Sequence, residues 1–189
     1  MRSMGRPVTE VLAACLVVMS LLCGTPALAH DTAFPEQTLK KVFPEATGFT
    51  PRKKTLTAEQ IRQIEQSSGS KLERNDNPLN FYVALGKSSD GSGVLGTVVM
   101  VDARGAKGTI DLAVALNRDG SIHSVAVLEN KDEAGLAAPT FLDQFKGKTP
   151  QSLNLGKEIR YSGNPKSAQS FVGAVRRGVF LLAAAAGKA

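Results

Sequence analysis

The hydrophobic period of this chain changes once, and that change restricts the fold more than any other feature. Before Leu79 the apolar residues fall at helical spacing, whereas from Leu79 they recur at every second position. Phe81, Val83 and Leu85 alternate with Tyr82 and Ala84, and Ile110, Leu112, Val114 and Leu116 alternate with Thr109, Asp111, Ala113 and Ala115. Between them, residues 94–101 (V-L-G-T-V-V-M-V) form a continuous apolar run, the pattern of a strand covered on both faces. The connections are short and rich in turn formers: residues 88–93 (S-S-D-G-S-G), then Arg118-Asp119-Gly120 before the run Ile122 to Glu129. Nothing this short holds a crossover helix, so the strands must run antiparallel. The expectation is an α+β fold: an antiparallel β-meander of about four strands, flanked by N-terminal helices and a C-terminal amphipathic helix.

Helices are predicted on both sides of the meander. Residues 34–46 give a short helix from about Pro35, with Leu39, Val42 and Phe43 on one side and Pro44 ending it. A basic, extended segment follows through Lys54. Thr57 and Gln60 form a capping box at the start of a second helix that stops at Ser67-Ser68-Gly69, with Ile61 and Ile64 inward. Arg74-Asn75-Asp76-Asn77-Pro78 is dense turn chemistry. After the meander come a loop at 130–137, a short helix from Pro139 to Phe145, a loop at 147–154 and an extended piece to Arg160.

The last helix has the clearest start signal. Asn164 is a good N-cap, and Pro165 suits the first helical position, where its missing N–H costs nothing. Ala168, Phe171, Val172, Val175, Val179 and Leu182 make one apolar stripe, and Gln169, Ser170, Arg176 and Arg177 fall off it. A glycine-containing turn (Tyr161-Ser162-Gly163) leading into a helix start is also a favourable place for an anion, because unpaired N–H groups and the helix dipole point there.

Composition bounds the rest. Arg2 and Arg6 precede an apolar run from Val11 to Cys23 and then Ala27-Leu28-Ala29. This is the layout of a secretory signal peptide at residues 1–29, and the run is shorter than the ~20 residues a membrane span needs. Cleavage after Ala29 leaves residues 30–189 as a single domain in a periplasmic compartment; the alternative is an uncleaved anchor. Both cysteines, Cys15 and Cys23, leave with the signal, which excludes disulfides and thiolate metal sites from the remainder. His30 and His123 are too few for a histidine metal site, and His123 falls in a strand pattern. The net charge of +6 is dispersed, and with 5% aromatic residues and no tryptophan a nucleic-acid stacking surface is unsupported. No nucleophile elbow, phosphate-binding P-loop or H-E-x-x-H motif occurs, so the residues point to none of those enzyme classes.

Residues 93–182 resemble the FMN-binding domain family, which includes the periplasmic flavin subunits of Rnf electron-transport complexes and of sodium-pumping NADH:quinone reductases. The resemblance is carried by the G-T-I-D-L-A-V-A-L-N-R-D-G-S-I hairpin at 108–122, an acidic loop with Gly135-Leu136, F-L-D-Q-F-K-G-K at 141–148, and Ser162-Gly163. It implies a flavoprotein that carries electrons to redox partner proteins, within or beside a membrane electron-transport complex. It also implies cofactor-binding roles for Asp132, Glu133, Gly135 and Leu136 in the loop and for Ser162, Gly163, Asn164, Lys166 and Ser167 at the helix start.

The chain departs from the family at the residue that matters most. The family pattern resembles S-G-A-T-x-T/S, with FMN joined through its phosphate to the first threonine. Here the segment is Ser162-Gly163-Asn164-Pro165-Lys166-Ser167, and proline has no hydroxyl to esterify. Its loop, Asp132-Glu133-Ala134-Gly135-Leu136-Ala137, also differs from the family's E-T-P-G-L-G. Three readings remain: FMN held non-covalently, with its phosphate on the backbone of residues 166–168 and Lys166 and Ser167 assisting; attachment displaced to Ser167; or a flavin-free interaction or assembly module on the same fold.

Overall fold

The computed structural model describes residues 35–87 and 91–187. The expected signal peptide and its cleavage point lie outside the described residues. The architecture is α+β, built on one five-stranded antiparallel sheet in sequence order. The strands are β1 (Gly48–Lys54), β2 (Leu79–Leu85), β3 (Val94–Arg104), β4 (Thr109–Asn117) and β5 (Ile122–Asn130). The helices are α1 (Glu36–Val42), α2 (Ala58–Ser68), α3 (Pro139–Leu142) and α4 (Pro165–Ala185).

The period-two pattern sorts the side chains onto two faces, as a pleated sheet requires. Ile110, Leu112, Val114 and Leu116 point to one face with Val99 and Val101, and meet Phe171, Val172, Val175, Val179 and Leu182 of α4. Ala113, Ala115, Val98 and Ala84 point to the other, where Leu39, Val42 and Phe43 at α1 close over them. This double cover explains the unbroken apolar run in β3. His123 belongs to the second layer as a packing residue: its ring stacks on Phe43 at a centroid distance of 4.2 Å, with Nδ1 3.0 Å from Asn117 Oδ1. Burial holds its pKa below the ordinary histidine value, with Lys146 acting in the same direction and Glu45 opposing both.

Two features differ from expectation. The basic segment before Lys54 is a fifth strand, β1, which pairs with β2 from Gly48↔Leu85 to Lys54↔Leu79. Pro51 and three consecutive cations hide its alternation, and both are tolerated there because β1 lies at the sheet edge. Lys54 also donates from Nζ to the Ala184 carbonyl at 2.6 Å, so this edge strand caps the C-terminal end of α4. Second, Arg177, which falls off the apolar stripe, is nevertheless buried. It is 3% exposed, and its Nε lies 2.9 Å from Oδ2 of Asp76, itself 3% exposed. Its two terminal nitrogens bond Ser70 Oγ and the carbonyls of Lys71 and Asp102, tying α4 to the turn after α2 and to β3.

Candidate functional site

The turn into α4 folds as its sequence dictates. Asn164 is the N-cap, accepting a bond from the Lys166 N–H at 2.9 Å, and Pro165 occupies the first helical position. What arrives over this start is the loop that leaves β5. Asn130 shapes that loop: its side chain donates to the Glu133 carbonyl at 2.9 Å and accepts from the Asp132 N–H at 2.8 Å.

The loop's two carboxylates then engage the helix start directly. Asp132 Oδ2 accepts the Ser167 hydroxyl proton at 2.9 Å, and Ser167 Oγ accepts the Ala106 N–H at 2.9 Å. Glu133 Oε2 accepts from the Asn164 N–H at 2.9 Å and from the Tyr161 hydroxyl at 3.0 Å, while Lys107 Nζ stands 3.5 Å from Oε1. The fit is close: a Cβ at Gly105 would collide with the Asp132 carboxylate, and one at Gly163 with the Glu133 carboxylate and the Tyr161 ring. Asp132 Oδ1 is buried without a hydrogen-bond partner.

These contacts polarise the site. The Asn164 N–H, then the Tyr161 hydroxyl and Lys107, hold the Glu133 carboxyl below its usual range. Desolvation, then the hydrogen bond to Glu133, pushes the Tyr161 phenol up to about 12. The helix start thus carries two carboxylates where its dipole and N–H groups would otherwise favour an external anion.

Of the nine residues singled out in the sequence, six meet here: Asp132, Glu133, Gly135, Gly163, Asn164 and Ser167, with Gly135 facing the Tyr161 ring. Leu136 is fully buried in the core. Ser162 is exposed in the turn, and the Lys166 side chain lines a different cavity, with Ser70 and Arg104. Tyr161, Asn130 and the β3–β4 turn at 105–108 complete the cluster. The sequence marks that turn only as glycine-flanked, and pairing of β3 with β4 is what brings it to α4.

This geometry bears on how FMN would be held. Pro165 offers no hydroxyl. The Ser167 hydroxyl is 0% exposed and has both a donor and an acceptor role, so it is not presented to an incoming phosphate. A phosphate laid on the helix start would meet two carboxylates. The helix start, in this arrangement, does not fit the phosphate group.

No family model matches the chain, and no curated protein matches it. Among solved structures, the chain is similar to Shewanella oneidensis NqrC, at 16% identity and a TM-score of 0.45. That similarity covers 75% of this chain and 80% of the other. It is too loose to assign an activity. Among the described residues no helix is long and apolar enough to cross a membrane, and no group of three metal-ligating side chains occurs.

Proposed function

We propose that this chain is a secreted FMN-binding-type domain that serves electron transfer, with its flavin held non-covalently, alongside redox partner proteins of a membrane electron-transport complex. The observation that carries this reading is the meeting of Asp132–Leu136 with Tyr161–Ser167. Both stretches bear the family resemblance, and they join through the 2.9 Å bonds of Glu133 and Asp132 although some thirty residues separate them. The absence of a presented hydroxyl at Pro165 and Ser167 supports the non-covalent form. Flavin, when bound, supplies the one- or two-electron chemistry; the protein supplies binding and orientation. The layout of residues 1–29 supports export to the periplasm.

The carboxylates on the helix start favour a second reading, a flavin-free interaction module whose Asn164 and Lys166 N–H groups are satisfied internally. Secreting the full chain beside a flavin transferase separates the two. The proposal predicts yellow protein that releases all its flavin to the supernatant on acid precipitation. Colour retained in the pellet contradicts the non-covalent form, and colourless protein that takes up no added FMN leaves the module.

A further inference from the structure

Two cavities lie along one side of α4, of about 300 and 640 Å³, and both are lined by Gly69, Gln169 and Gly173. They join into one groove between the helix, the turn after α2 and the 153–157 loop. Its floor is a row on α4. Lys166, Gln169, Gly173 and Arg176 follow one another at steps of three, four and three residues, which stacks them on one side of the helix. From Lys166 to Arg176 the row rises roughly 15 Å, at ~1.5 Å per residue.

Gly173 sets the depth of the middle. Glycine weakens a helix interior relative to alanine, so its presence in α4 calls for a reason. Packing supplies one for Gly178, where a Cβ would press on Val114 at 3.2 Å. At Gly173 a Cβ would meet only Ser70 Cβ, at 3.9 Å, so packing asks for no glycine there. Its missing side chain instead leaves room for a chain to pass from one lobe to the other.

Charge and length select the occupant. The larger lobe holds Lys157 and Arg176 and no carboxylate, and Leu153 and Leu155 give it an apolar wall. In the smaller lobe Lys166 stands with Arg104, whose partner is Glu73, and with Asp102, whose carbonyl is taken by Arg177. Among the described residues, no carboxylate lies within ion-pair distance of Lys157, Lys166 or Arg176. The row therefore ends in uncompensated cations, and an anionic partner is drawn to both ends. Their separation exceeds the span of one small anion and matches about four or five residues of extended chain. No aromatic side chain lines either lobe, so nucleic-acid bases have no stacking platform there. We infer that this groove docks an extended acidic segment of a partner protein. One carboxylate sits at Lys157 and Arg176 and a second at Lys166, and the backbone crosses Gly173 beside the Gln169 amide. No residue of the loop and helix-start cluster lines the groove, so the assignment does not rest on the flavin reading.

The test is titration of the capped peptide E-V-S-L-E into the secreted full chain, read by amide NMR shifts. In an extended peptide its two glutamates lie on one side, ~13 Å apart. Saturable shifts are expected at Gly69, Gln169, Gly173 and the 153–157 loop. Binding should be at least about tenfold tighter than that of Q-V-S-L-Q, which lacks the charge-assisted contacts. Lys157→Glu, an exposed change, should weaken E-V-S-L-E about threefold or more. Gly173→Leu, which fills the middle of the groove and favours helix, should weaken it about tenfold or more. Both variants should keep the circular dichroism spectrum of the unaltered chain. No shifts at millimolar peptide, equal binding of Q-V-S-L-Q, or unchanged binding by both variants would each overturn the proposal. So would displacement of the peptide by an equal concentration of succinate, which marks a small-anion site, or tighter binding of a single-stranded oligonucleotide at the same residues.

Discussion

Glu133 is the residue on which the helix start turns. One carboxylate oxygen takes the backbone N–H of the N-cap residue and the hydroxyl of Tyr161, so it orders the turn and the loop at once. Two consequences of opposite sign follow with pH. The Glu133 pKa is depressed by folding, so its contribution is present above the unfolded value of ~4.3 and fades as pH falls through the folded value. The Tyr161 pKa is raised to about 12, so the folded state holds that proton and loses stability as pH climbs from ~10 toward it. Spectrophotometric titration reads the second directly, because the chain has two tyrosines. Glu133→Gln should bring the later phenol transition down from about 12 toward the ordinary value without reaching it, since desolvation is the larger cause. An unchanged titration would show that the Glu133–Tyr161 bond does not form in solution.

At the scale of elements, α4 is fixed by more than its apolar stripe. Lys54 of β1 caps its C-terminal end, and Arg177 anchors its middle through Asp76 and three further bonds. Arg177→Met would strand the Asp76 carboxylate in the interior, a change that costs about 3–5 kcal/mol. Urea unfolding should show that loss at neutral pH and a smaller one at low pH, where Asp76 can be protonated. A loss under 1 kcal/mol at neutral pH would mean the pair is not buried as described. Neither anchor was legible in the sequence. The helical period only places Arg177 off the apolar stripe, and its partner lies about a hundred residues away with no local pattern to mark it. The elements that were legible have local causes: the Thr57–Gln60 capping box, Gly69 at φ +68° ending α2, and Asn164-Pro165 opening α4. The edge strand β1 escaped because Pro51 and its neighbouring cations erase alternation where a strand has only one paired side.

For the whole molecule, a meander of hairpins with a helix on each face is what the change of hydrophobic period demands, and it brings two stretches thirty residues apart into one site. Six of the residues singled out in the sequence come together there, in an arrangement the sequence does not give. Asp132 and Glu133 are acidic loop residues in the sequence; only folding lays them on the helix start, where they take the place an anion would. On the proposed reading, a flavin carried by this chain is held without an ester. Mass spectrometry of the full chain, secreted beside a flavin transferase and supplied with FMN, tests this most directly. The account predicts a native mass of residues 30–189 plus one FMN and a denatured mass of residues 30–189 alone. An FMN increment that survives denaturation, or a native mass with no FMN, would contradict it.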